Sequence, residues 1–222
     1  MTYICLTNIL LNMNKLHIIV IAVIILFSGM SYSQSNLSMP LRNYLNACTA
    51  INEGIARHDR ARLENALKTL DGVNIETADK LIFKVLSGQD EVKPKVLYHP
   101  DYVDKLLLRN FEIAELDEAS LLRGNSLLNE SDILISHHAL RPNGVLKCEI
   151  DGEGHMELLV AGNGKTAPKI SVKEKSTGKE YKEYSSSGNA SWLVWDLKNP
   201  ESVELTIVNT DDLDTTFVIA TN

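Results

Sequence analysis

Apolar and polar positions alternate in short bursts across residues 141–222. Over 201–209, Val203, Leu205 and Ile207 fall on one face and Ser202, Glu204 and Thr206 on the other. That two-residue period marks a half-buried strand. Residues 209–214 are polar and turn-forming, and 215–221 form a β-branched, aromatic run of the kind strands favour. The pair reads as a hairpin with a longer loop. The same grammar continues upstream, with strands expected at 190–197, 178–184, 169–175, 155–160 and 145–150. Turn signals separate them: Asn143-Gly144, Asp151-Gly152-Glu153-Gly154, Gly162-Asn163-Gly164, Ser176-Thr177-Gly178, Ser187-Gly188-Asn189 and Asn199-Pro200. One-sided strands at this spacing must bury their apolar faces against a facing sheet, which predicts an antiparallel β-sandwich.

Upstream the period changes to that of a helix. Leu41, Tyr44, Leu45, Cys48, Ile51 and Ile55 form one stripe, with Pro40 suited to a first turn. Asp59 is placed to cap a second helix carrying Leu63, Ala66, Leu67 and Leu70, which stops near Asp71-Gly72. A third helical segment is predicted over 75–86 from Ala78, Leu81, Ile82, Val85 and Leu86. Residues 89–95 read as a polar linker, 98–107 as a turn leading into a short helix, and 133–135 as an extra strand; 111–122 mix acidic and apolar positions. The expected fold class is α+β: a helical region at 34–95, a linking segment at 96–131 and a sandwich at 132–222.

The first 33 residues change the picture of where the chain acts. Lys15 precedes an apolar run over 18–27, and Ser31 and Ser33 occupy the small-residue positions before a cut at Gln34. This is the pattern of a secretory signal peptide, with Met13 as the start. The apolar run falls short of the ~20 residues that span a bilayer. An exported protein, periplasmic or extracellular, is expected, with no membrane span after cleavage.

The net charge is −7, and Lys15 is the only charged residue such a cut removes. An acidic chain with no polybasic run has no electrostatic footprint for nucleic acid or an anionic membrane. Cys48 and Cys148 survive cleavage. Each stands in line with apolar neighbours and reads as a buried free thiol, although an oxidising compartment permits a disulfide.

Catalytic and metal motifs are scarce. No GxSxG elbow occurs, and neither cysteine has the surroundings of a nucleophile. His137 and His138 are adjacent and would face opposite sides of a strand, so they do not share a metal; His155 stands apart. Asp211, Asp212 and Asp214, and Asp151 with Glu153, read as turn residues rather than calcium ligands. Gly162-Asn163-Gly164-Lys165-Thr166 echoes a phosphate loop but lacks its spacing and a following helix. No catalytic residue, metal or cofactor is assigned. Trp192 and Trp195 differ in parity, so one is expected in the core. For the other there are two readings: it is exposed beside Tyr181 or Tyr184, as a platform for a sugar ring or a protein partner, or both pack against the sheet or the helical region.

The succession 144–150, 157–160, 170–172, 192–197, 203–209 and 217–222 resembles the β-sandwich accessory domains of the bacterial pre-peptidase C-terminal type. The whole plan is similar to that of small secreted proteins of gut-type bacteria with a helical N-terminal region. Such accessory domains have no catalytic residues of their own, so the resemblance implies a binding, solubilising or secretion-related role. The expected function is a secreted, non-enzymatic binding or interaction module for a protein or glycan. The alternatives are a secreted hydrolase acting on glycans or peptides from a site between helices and sheet, and a structural part of a surface assembly.

Overall fold

The computed structural model describes residues 36–77, 83–87, 91–111, 132–182 and 184–222. The signal-peptide reading and the residues 112–122 lie outside them. Helix α1 (Met39–Arg57) buries the expected stripe from Leu41 to Ile51 and leaves Ile55 half-buried. His58 closes it in a left-handed conformation (φ 53°). Asp59 then caps α2 (Arg60–Asp71), its carboxylate accepting from the Arg62 amide at 3.1 Å. The two helices touch closely at Gly54, where a Cβ would stand 2.8 Å from Leu63 Cδ2.

Residues 75–77 and 83–86 do not form the helix that the spacing over 75–86 predicts. Ile75–Thr77 is strand β1 and Phe83–Ser87 is strand β2; residues 78–82 lie outside the described set. Pairing decides the matter: β1 runs parallel to β4 (Ile133–Leu140), and β2 runs antiparallel to β5 (Val145–Gly162). A ladder and a buried partner outweigh weak local preference in a stretch containing Ile, Thr, Phe and Val. Strand β3 (Glu91–Val92) and helix α3 (Pro100–Leu108) follow.

The remaining strands are β6 (Lys169–Glu174), β7 (Glu180–Tyr181), β8 (Ser185–Ser187), β9 (Ala190–Val208) and β10 (Thr215–Thr221). They build one large sheet in the order β1-β4-β10-β5-β9-β6-β7, with β2 beside β5, β3 beside β4 and β8 beside β9. The β1–β4 pair is parallel and the other described pairs are antiparallel, so the sheet is mixed rather than wholly antiparallel; it does not close on itself. The molecule is mostly β, with its three described helices N-terminal to β4.

Two expected turns prove otherwise. Residues 145–150 and 155–160 belong to one strand, β5, and 190–197 and 201–208 to another, β9. Gly152 to Gly154 and Asn199-Pro200 lie at a bend in this long pair, where the register slips between Gly152, opposite Glu201, and Gly154, opposite Leu197. Gly and Pro accommodate a bulged bend as readily as a reversal. The expected 201–221 hairpin is also absent: β10 pairs with β4 and β5, not with β9.

Two apolar clusters lie on the two faces of the strands. Leu159, Ala161, Trp192, Val218 and Ala220 join the helices in the first cluster. Leu158, Val160, Leu193, Trp195, Phe217 and Ile219 join the second. Leu146, Cys148 and Ile150, from before the bend in β5, share that second cluster with Met156, Leu158 and Val160 from after it. Leu37–Asn222 form one compact unit.

Candidate functional site

A groove of about 530 Å³ opens where α1, α3 and two loop ends of the sheet meet. That volume is typical of a small-ligand pocket. Helix α1 contributes Ile51, Asn52, Glu53, Ile55 and Ala56; the segment around α3 contributes Leu97, Tyr98, Tyr102, Leu106 and Phe111. The far wall is Asn163, Gly164 and Lys165 after β5 and Gly188-Asn189 before β9. The floor is therefore aliphatic and aromatic, and the rim is polar.

Hydrogen bonds lock the two sides together. Asn52 donates to the Gly162 carbonyl at 3.1 Å and accepts from the Tyr98 hydroxyl at 2.9 Å. Asn189 donates to the same carbonyl. Tyr44 donates to the Tyr98 carbonyl at 3.2 Å. Tyr98 is fully buried yet sits at φ 61°, a left-handed conformation costly for an aromatic residue. Phe111, also lining the groove, sits at φ 70°. Burial pushes the Tyr98 phenol well above its ordinary value, which keeps the proton that it donates.

The charges of the groove are uneven. Glu53 is paired with Arg62. Lys95 and Lys165 pair with no carboxylate among the described residues. In a chain of net charge −7 the groove thus presents two free cations above an apolar floor. No histidine among the described residues lines it.

The residues singled out from sequence fall elsewhere. Trp192 and Trp195 do face opposite ways, but both are buried, at 1 % and 3 % exposure, which rules out the exposed platform and leaves the reading in which both pack. Trp192 packs in the first apolar cluster and Trp195 in the second, so neither indole is left over. Tyr181 lies 6.3 Å from the Trp195 ring and gives its hydroxyl to Glu174 at 2.6 Å; Tyr184 is half-buried against the second cluster.

The phosphate-loop echo is filled from within, because the Asp211 carboxylate accepts from the Lys165 and Thr166 amides. Asp211 also accepts from the Asp212 amide at 2.8 Å, as a turn residue does. No group of three or more metal-ligating side chains occurs among the described residues. Cys48 and Cys148 are free and buried in different clusters, on the two faces of the sheet. Burial pushes both thiols up, Cys148 to about 12.

The histidines of β4 divide as their parity requires. His137 lies 2.6 Å (Nε2) from the Leu97 carbonyl, and burial lowers it to about 4. His138, on the other face, contacts Ser136 Oγ at 2.9 Å through Nε2 and Glu91 Oε1 at 2.6 Å through Nδ1. The i, i+2 spacing of Ser136 and His138 is visible in the sequence, but the arrival of Glu91 depends on the β3–β4 pairing.

No protein-family model matches the chain, and no curated protein does. Among solved structures, a Bacillus licheniformis lipase in its propeptide form is 10% identical, with 56% of this chain and 27% of that one covered, at a TM-score of 0.34. A de novo designed double-stranded β-helix is 10% identical over 40% of this chain and 97% of that one, at 0.25. A sugar phosphate isomerase of the cupin superfamily from Silicibacter pomeroyi is 13% identical over 39% and 59%, at 0.16. Similarities of this size assign neither fold nor function.

Proposed function

We propose that the protein is an exported binding module whose groove between α1, α3 and the sheet-end loops takes an extended peptide segment with apolar and acidic side chains. The observation that carries this reading is the groove's composition: an aliphatic and aromatic floor beneath the free cations of Lys95 and Lys165. Apolar burial supplies affinity, and the lysines select acidic partners by complementarity. Converging carboxylates or histidines would have favoured hydrolysis in this groove, and the lone carboxylate among its described lining residues, Glu53, is occupied by Arg62. The sheet is the scaffold. Its long β5–β9 pair bends so that apolar side chains from both halves share one cluster, which supports a sandwich-like arrangement of the two halves. Strained Tyr98 and Phe111 hold the floor in a preformed shape, which lowers the ordering cost of binding.

A thermal-shift screen tests the reading, since a ligand that binds only the folded state raises the midpoint. The panel contains acidic-apolar peptides, basic peptides, oligosaccharides and divalent metals. The acidic-apolar peptides are expected to raise the midpoint, and Ala56→Trp, at an exposed position lining the groove, is expected to abolish the shift. A shift confined to oligosaccharides or metals, or one that survives Ala56→Trp, would overturn it.

A further inference from the structure

We propose that Asn163, at the rim of the groove, is a self-modification site. Its side chain loses ammonia to attack by the Gly164 backbone nitrogen and becomes a carboxylate, which lowers the groove's affinity for acidic peptides. The chemistry needs an asparagine followed by a residue with no side chain, so that the next amide nitrogen reaches the Asn carbonyl carbon unhindered. The sequence holds two such pairs, Asn143-Gly144 and Asn163-Gly164, and both asparagines are exposed. The surroundings of the two glycines separate them.

At Asn143-Gly144 the nucleophile is withheld. Gly144 is buried, its amide donates to the Arg141 carbonyl at 2.9 Å, and its own carbonyl accepts from the Asn209 amide at 3.0 Å. A nitrogen whose proton is already shared inside the protein resists the base that must remove it. At Asn163-Gly164 the nucleophile is available. Gly164 is half-buried, and its amide donates no hydrogen bond among the described residues. The carboxylate beside it, Asp211, accepts instead from the Lys165 and Thr166 amides.

The other reacting atoms are prepared as well. The Thr216 amide donates to Asn163 Oδ1 at 3.0 Å. That donor polarises the side-chain carbonyl and sits at the oxygen where negative charge develops during attack. The Asn163 side-chain nitrogen makes no hydrogen bond among the described residues, so none of them retains the leaving group.

Base removes the Gly164 amide proton, and the nitrogen bonds to Asn163 Cγ. The Cγ–Nδ2 bond breaks, the leaving nitrogen takes a proton from water, and ammonia departs, which closes a succinimide ring. Water then opens either carbonyl of the ring. The product carries a carboxylate at position 163, on a normal or an isoaspartyl backbone. Position 163 and Lys165 line the same wall of the groove. The new carboxylate counters that cation and repels an acidic side chain. This consequence rests on the peptide reading above; the reaction itself does not.

The test incubates the full chain at mildly alkaline pH and follows both pairs by peptide mapping that separates asparagine, aspartate and isoaspartate. Asn163 is expected to convert at least about fivefold faster than Asn143, the factor that one ordinary hydrogen bond at the Gly144 amide is worth. In denaturant the two rates are expected to converge. Equal or slower conversion of Asn163 in the native chain would overturn the proposal, as would a preference for Asn163 that persists undiminished in denaturant. Affinity is read separately, by titrating Asn163→Asp with an acidic-apolar peptide from the thermal-shift panel. The variant is expected to bind about threefold more weakly than wild type, and the difference to shrink at raised salt. Wild-type affinity in Asn163→Asp would overturn the regulatory effect. A wild-type chain that binds no acidic-apolar peptide, while Asn163 still converts faster than Asn143, would overturn the peptide reading and the effect on affinity but uphold the reaction.

Discussion

Tyr98 holds its ring inside the first cluster, its hydroxyl on Asn52 and its carbonyl under Tyr44, all from a left-handed backbone position. Removing the hydroxyl leaves the Asn52 side-chain oxygen without that donor. Tyr98→Phe is therefore expected to cost about 1 kcal/mol in chemical denaturation, and to weaken groove binding by loosening the α1 wall. His137 makes a prediction of a different kind. Its folded value of about 4 lies below the ordinary 6.5, so the unfolded chain binds a proton that the native chain refuses. Stability is then full above about pH 6.5 and is lost as the pH falls toward 4, by roughly 3 kcal/mol from this residue. His99 is also lowered by burial and adds to this trend, while exposed His155, raised chiefly by its bond to Asp196, opposes it. The difference between wild type and His137→Gln isolates the effect: the variant is expected to show a flatter midpoint-versus-pH curve between pH 6.5 and 5. Equal slopes would contradict the assignment. None of this was legible at the residue scale. A sequence shows that His137 and His138 face opposite ways, but not that Leu97 and Glu91, 40 and 47 residues upstream of them, meet them.

At the scale of elements, local signals were reliable where the structure is local. The α1 stripe, the Asp59 cap and the stop at Gly72 follow from residues three or four apart, and the structure has each of them. Asp59→Ala is expected to lower stability by about 1 kcal/mol, with Asp59→Asn costing less, as measured by urea midpoints. The misreadings arose where partners are distant. The glycines of residues 152–154 read as a turn, because a reversal and a bulged bend use the same residues. Only the continuous β5–β9 ladder tells them apart. Gly154 sits at φ 64° with nothing within 4 Å of a would-be Cβ. Gly154→Ala therefore meets no steric obstacle and is expected to cost about 1–2 kcal/mol through backbone conformation alone. A neutral outcome would show that the bend does not need the left-handed residue. The 75–86 stretch failed for a related reason, since strand pairing with β4 and β5 claimed residues whose spacing also suits a helix.

Across the whole molecule, the sheet separates an apolar layer shared with the helices from a second layer on its other face, and the two cysteines among the described residues, Cys48 and Cys148, fall one to each. Cys48 and Cys148 are accordingly expected to remain unpaired even in an oxidising buffer. Peptide mapping should find both thiols unreactive toward a thiol reagent in the native chain and both labelled after denaturation. The broad division into N-terminal helices and a C-terminal β region was legible because each depends on period alone. The groove was not, because its walls come from four separate stretches that share no sequence signal. Its role as a binding site is the centre of the account. The direct measurement is an amide-resonance titration of isotope-labelled chain with the acidic-apolar peptide that gives the largest thermal shift. The account predicts saturable changes confined to Asn52, Tyr98, Phe111, Gly164, Lys165 and Asn189 and their neighbours, and their loss in Ala56→Trp. Changes that cluster on β6 and β7 instead, or that persist undiminished in Ala56→Trp, would contradict it.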